Sequence, residues 1–376
     1  MDFTLSDEQK LFQEIVESFV AREYDDDKRR ALSESEDGFS RAHWAHFAEL
    51  GWLSLGLNEA YGGLSGTALD SAVLMEGLGR ALVVEPYLAS VVMGGAVIEL
   101  AGTAAQKSAH LPALGTGDLL LAFAFAEPRA RYDLASTVTT AKKGSDGYIL
   151  NGHKSVVFHA ATADKIIISA RTAGKENESN GISLFLLERT APGLTLQAYP
   201  TIDGGRAAEV KLVAAAGELL GEAGKAHAVI EAVIDHAIIA LSAEAVGVMQ
   251  TLIEMTRTYL DSRKQFGIPI GKFQVLQHQL VDMYMAHELS KALTYRAAAA
   301  IGTADAPARA RAASAVKVQI GKAGRLIGQQ AVQLHGGMGM TDELALGHYF
   351  KRLTMIETLF GSTDHHRRRF ASLSSA

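Results

Sequence analysis

The sequence predicts an α+β chain in three parts: an N-terminal α-helical domain over 1–117, a middle antiparallel β-barrel or sandwich domain over 118–223, and a C-terminal four-helix bundle over 224–376. Three observations predict it. Apolar residues recur at helical spacing up to about residue 117. Short β-rich runs separated by turn signals then replace that period. From about Gly224 the helical period returns and persists.

In the first part, Ser6 precedes Asp7, Glu8 and Gln9, an N-cap with acid in the first turn. Leu11, Ile15, Phe19 and Val20 follow on one face. Further helices are expected near His43–Leu50, Ala68–Leu82 and Leu88–Ala101. The β part is read as Leu119–Phe125, Ser136–Ala141, Tyr148–Leu150, Val156–Phe158, Lys165–Ser169, Ser183–Leu187, Leu194–Gln197 and Glu209–Val213. Turns at 144–147, Asn151-Gly152, Asn180-Gly181, Pro192-Gly193 and 203–205 separate them. The bundle helices are expected over Ala226–Arg263, Phe273–Ile301, Pro307–Leu334 and Thr341–Phe360.

Composition bounds the function. Net charge is −6 with no basic block, which argues against a nucleic-acid partner; Arg367–Arg369 is short and reads as a solvated helix end. There is no cysteine, so disulfides and thiolate chemistry are excluded. The first residues lack the basic and apolar regions of a signal peptide. No apolar stretch reaches the roughly 18–20 residues of a membrane span; the longest, Ala237–Met249, contains a carboxylate. A cytoplasmic protein without membrane partners is expected.

Two motifs carry chemistry. Arg263-Lys264-Gln265-Phe266-Gly267 ends the first bundle helix, and Phe273-Gln274 starts the next. An arginine there can hold a phosphate bidentately, or serve as a cationic C-cap completed by Gly267. Gln333-Leu334-His335-Gly336-Gly337-Met338-Gly339 joins two bundle helices. Its glycines let backbone N–H groups approach a diphosphate, or simply make a tight turn. The spacing is not that of a dinucleotide-binding fingerprint, and no strand precedes it.

In this order, after a β domain, the two motifs resemble the acyl-CoA dehydrogenase family. Leu5-Ser6-Asp7-Glu8-Gln9 after Met1-Asp2-Phe3, Leu50-Gly51-Trp52, Tyr61-Gly62-Gly63 and Asn151-Gly152-His153-Lys154 extend the resemblance over the whole chain. The resemblance implies an FAD enzyme that converts an acyl-CoA to the trans-2-enoyl-CoA: a carboxylate takes the α-proton, and the flavin takes the β-hydride. It implies that Arg263, Phe266, Gln274, Gln333, Gly336, Gly337 and Thr363 contact FAD, often across a subunit interface in a tetramer. It also implies electron-transfer flavoprotein as acceptor.

The sequence departs from the family at three places. The flavin- and thioester-facing Thr-Glu-Pro-Gly-x-Gly-Ser-Asp reads Ala126-Glu127-Pro128-Arg129-Ala130-Arg131-Tyr132-Asp133. The Trp and Thr that shield the flavin are Val156 and Phe158. In the C-terminal Tyr-Glu-Gly-Thr motif, Gly361 stands in the place of the base; the alternative base position on the first bundle helix is Ala237. Glu244 shares a helical stripe with Ala237, Leu241 and Val248. An ionised carboxylate on an apolar helix is costly unless partnered, so Glu244 is a substitute base, a buried carboxylate paired with Arg or His, or a solvent-exposed group. Small neighbours (Ala237, Ala240, Ser242, Ala243, Gly247) permit a bulky acyl group. The adjacent His365 and His366 lack the spacing of a two-histidine metal motif.

The Ala-Glu-x-Val-Gly helix and the Gly-Ser-x-Asp-His-His motif resemble subunits of heteromeric bacterial acyl-CoA dehydrogenases. Two functions follow. One is a dehydrogenase with Glu244 as base, as a homo- or hetero-oligomer. The other is a non-catalytic partner subunit that lends contacts to the ADP half of FAD. A flavin monooxygenase on the same fold is permitted by Gly361, but nothing asks for it.

Overall fold

The computed structural model describes residues 5–145, 147–302, 305–341 and 344–374. The expectations on Met1-Asp2-Phe3, on Asp146 in its turn and on the helix start at 342–343 lie outside the described residues. The chain divides into two compact units, each discontinuous in sequence: residues 1–31, 67–83 and 238–376, and residues 32–66 and 84–237. These units do not coincide with the three sequential parts.

The first unit is helical. Its elements are α1 (Asp7–Glu23), α4 (Ala68–Arg80), most of α7 (His227–Ser262), α8 (Gln274–Ile301), α9 (Ala306–His335), α10 (Leu346–Thr358) and α11 (Thr363–Ser374). Ser6 caps α1 in a reciprocal box with Gln9. Helix α9 packs against α8, α10 and α11, so the bundle carries a terminal helix beyond the four expected. Helices α4 and α7 cross at backbone contact. A Cβ on Gly79 would lie 2.1 Å from the Glu244 carbonyl oxygen, and one on Gly247 would lie 1.9 Å from that of Glu76. Gly247 is small because α4 needs the space, which corrects its reading as room for an acyl chain.

Helix α2 (Asp26–Glu34) spans the division between the units. The second unit holds α3 (Arg41–Glu49), a π-helical segment Leu88–Gly95 running into α5 (Ala96–Ala101), α6 (Ala104–Gly115) and the sheet. The strands are β1 (Leu121–Ala124), β2 (Thr140–Gly144), β3 (Gly147–Phe158), β4 (Lys165–Arg171), β5 (Ile182–Glu188), β6 (Leu194–Pro200) and β7 (Arg206–Leu220). Strand β3 pairs antiparallel with β2 and β7, β7 with β5 and β6, and β5 with β4. A single parallel pairing, Thr140 with Arg171, joins β2 to β4 and closes the ring.

The barrel is mainly antiparallel, as expected, and β1 adds a strand that runs parallel to β4. Parallel neighbours need a long crossover, and the β2–β3 hairpin lies within that connection. The runs Tyr148–Leu150 and Val156–Phe158 are one continuous strand, β3, with irregular register at Leu150/Gly152 and Lys154/Val157. The polar stretch between them hid the strand because Lys154 points inward, fully buried. Ala122, Leu150, Ile166, Ile168, Phe185 and Val210 fill the barrel core.

Helix α7 contains an 18-residue window apolar enough to cross a membrane by length and composition, longer than the sequence reading allowed. That window is 89% buried within the protein. Burial of this kind is the signature of a core helix.

Candidate functional site

The two glycine-containing motifs meet at one end of the bundle. Tyr259, near the end of α7, stacks on His335, the last residue of α9, with ring centroids 4.4 Å apart. After α7 the chain makes a small hairpin of β8 (Lys264–Gln265) and β9 (Ile268–Pro269). Phe266 and Gly267 turn it with φ of 55° and 82°, which places the Phe266 ring 92% exposed. Its edge meets Phe273, just before α8 and Gln274. After α9 the chain turns at Gly336, φ 59°. Added Cβ atoms on Gly336 and Gly337 would meet no atom within 4 Å.

Arg263, Gln274 and Gln333 are exposed here. Among the described residues, none has a side-chain partner within the chain. Unspent guanidinium and amide donors, an outward aromatic ring and open glycine backbone suit an adenosine diphosphate. This chemistry fits the ADP half of FAD. Thr363 stands apart. Its hydroxyl and amide both donate to the Glu357 carboxylate, and it packs on Gly321, 15 residues before Gly336, which is about 22 Å along α9.

Glu244 lies in the interior of α7 and is 7% exposed. Arg352 of α10 grips it with both arms of the guanidinium: Nε donates to Oε1 at 2.5 Å and Nη2 to Oε2 at 2.8 Å. The partner was not legible because Arg352 is 108 residues away. The surroundings of Arg352 are also tied down. Tyr349, three residues earlier, donates its hydroxyl to the Arg80 carbonyl at 2.7 Å, and Thr251 donates to the same oxygen at 2.9 Å.

Position 361 holds more than a missing side chain. Phe360 and Gly361 both take positive φ, 56° and 122°. The buried Lys317 ammonium donates to the carbonyls of Gly361, 2.6 Å, and Glu357, 3.0 Å. His366 Nε2 donates to the Phe360 carbonyl at 3.0 Å, which leaves Nδ1 to accept from the Ser314 hydroxyl at 3.2 Å. A Cβ on Gly361 would lie 2.4 Å from His366 Nε2 and 2.8 Å from a carbon of the His365 ring. Imidazoles fill the space into which a side chain would project. Burial pushes Lys317 down to about 8, with Glu357 opposing. Burial also pushes His366 down to about 3; the Phe360 carbonyl opposes the shift, and Lys317, His365 and Arg369 add to it.

In the barrel, Glu127 is one of two acids kept in the altered loop, with Asp133, and its work is internal. It accepts from the amides of Val138 and Thr139 at 2.9 and 3.1 Å and from Lys154 Nζ at 2.6 Å. Lys154 also donates to Ser169 and to the Phe125 carbonyl. Burial alone raises the Glu127 carboxyl, but Lys154 and the amide donors outweigh it and hold it below its ordinary range. Burial pushes Lys154 down to about 8 against the pull of Glu127. Val156, φ 53°, is exposed, and Phe158 is half-buried.

Three models of the acyl-CoA dehydrogenase family match this chain in order: the N-terminal domain at residues 6–118, the middle domain at 122–214 and the C-terminal domain at 226–373. The probable acyl-CoA dehydrogenase YngJ of Bacillus subtilis (strain 168) is 30% identical, over 98% of both chains. The FAD complex of PigA is similar in structure with TM-score 0.91 and 28% identity, covering 100% of this chain and 99% of that one. A variant of the Tcur3481-Tcur3483 steroid ACAD gives TM-score 0.89 and 29% identity over 99% of both chains. The three matched domains, and an FAD complex among the similar structures, define a flavin-dependent oxidoreductase that uses FAD. The chain belongs to the acyl-CoA dehydrogenase family.

Proposed function

We propose that this chain takes part in the α,β-dehydrogenation of an acyl-CoA to the trans-2-enoyl-CoA, with Glu244 as the group that takes the α-proton. Bound FAD supplies the two-electron acceptor for the β-hydride. Arg263, Phe266, Gln274, Gln333, Gly336 and Gly337 hold its ADP half. The observation that carries the reading is Glu244, a nearly buried carboxylate on an apolar helix held in one orientation. A carboxylate has about four acceptor sites, and the two bonds from Arg352 leave sites on each oxygen. Thr363 is left out of the cofactor set because Glu357 already engages it.

The same ion pair favours a second reading. Arg352 neutralises the carboxylate, and position 361 offers no replacement, so the chain would be a non-catalytic subunit. It would lend its ADP platform to FAD in a second acyl-CoA-dehydrogenase-like chain. Similarity to the Tcur3481-Tcur3483 protein, named as a pair, supports such an oligomer. We further propose electron-transfer flavoprotein as the acceptor and a cytoplasmic location.

The experiment compares wild type with Glu244→Gln, each purified with any co-expressed partner chain. Loss of a general base costs about 10²–10⁴-fold in kcat. The expected outcome is a fall in that range with the flavin spectrum unchanged. Undiminished turnover in the variant selects the non-catalytic reading.

A further inference from the structure

Arg171 ends β4 and is 7% exposed. Among the described residues, no carboxylate forms an ion pair with it. Its guanidinium is surrounded by six backbone carbonyls instead. Nε donates to Thr137 at 3.0 Å. Nη2 reaches Ala135 and Glu176 at 2.8 Å and Glu178 at 3.0 Å. Nη1 reaches Asn180 at 3.0 Å and Ala173 at 3.4 Å. These carbonyls belong to two separate loops, 135–137 and 173–180. One direct bond also joins the loops, from the Thr137 amide to the Glu176 carbonyl, 3.1 Å.

The first loop continues from Arg129–Asp133, the segment in which this chain departs from its family. Its far side is held by Glu127, through the amides of Val138 and Thr139. Carbonyls of 135 and 137 are therefore gripped by a cation, and amides of 138 and 139 by an anion. A guanidinium has five N–H donors in a rigid fork. No other side chain offers this many N–H donors at once, and the buried bond to Thr137 and the part-buried bonds to the other carbonyls would be lost together without it.

We propose that Arg171 is a positioning residue that makes the 135–139 and 173–180 segments one rigid body and so sets the affinity of the barrel for its acyl-CoA ligand. The ligand rests on the dehydrogenase reading; the coupling of the loops does not. The segment that departs from the family pattern, Arg129–Tyr132, leads directly into the loop that the buried arginine holds.

The test uses Arg171→Ala and Arg171→Lys in the full chain, with any partner present. Lysine keeps the charge but has three donors, and it remains informative if the alanine variant fails to fold. Hydrogen exchange is expected to accelerate about 10-fold or more at both loops together, with β3 and β7 unchanged. The Kd and KM for acyl-CoA are expected to rise about 10-fold or more, while kcat moves much less. Exchange that rises in only one loop overturns the coupling. Both loops loosening with Kd and KM unchanged overturns the positioning role, as does a wild type that binds no acyl-CoA. A wild type that binds acyl-CoA without turning it over defeats the catalytic reading alone, and the Kd comparison still decides the role of Arg171.

Discussion

His366 shows how one buried side chain ties the fold to pH. Burial holds its imidazole neutral, with its pKa pushed down to about 3 from an ordinary 6.5. Between those values the unfolded chain takes up a proton that the folded chain refuses. The stability linked to His366 is therefore complete above pH 6.5 and is lost as pH falls toward 3. The slope is on the order of 1.4 kcal/mol per pH unit. Denaturant melts across that range should show a flatter pH dependence for His366→Gln than for wild type. The residue scale is also where sequence reading ran out. Glu244 was recognisable as an odd charge on an apolar helix, and pairing with Arg or His was one of its three readings. Nothing local named Arg352, because its bond to Glu244 spans 108 residues.

At the scale of elements, periodicity was informative wherever one face alone is buried. The Ser6 cap and the long helices α7, α8 and α9 follow from local residues. It failed where a strand carries a charge inward. Lys154 breaks the alternation of β3 because its ammonium serves Glu127 inside the barrel. Helices α2 and α6 were not anticipated; α2 is short and strongly charged, with only Arg29 buried. The crossing of α4 and α7 was likewise invisible, because a glycine in a helix does not say what lies against it. Gly247→Ala should be resisted by the Glu76 carbonyl, 1.9 Å from the new Cβ, at a cost of about 1–3 kcal/mol. Gly337→Ala meets no neighbour. Thermal melts by circular dichroism should separate the two, with a lower Tm for the first and little change for the second.

At the scale of the whole molecule, the architecture of helices and barrel was legible from changes in sequence texture. The division into compact units was not, because each is assembled from segments far apart in the chain. The proposed ADP platform has one further consequence. Its ring and donors face away from the chain that carries them. In the proposed assembly they complete the cofactor site of a neighbouring subunit, so FAD retention obeys mass action between subunits as well as between protein and cofactor. Serial dilution at constant free FAD should then lower the flavin bound per chain as the oligomer dissociates. Arg263→Ala should shift that loss to higher protein concentration. Flavin occupancy would then report assembly, and a colourless dilute sample would be an unassembled one.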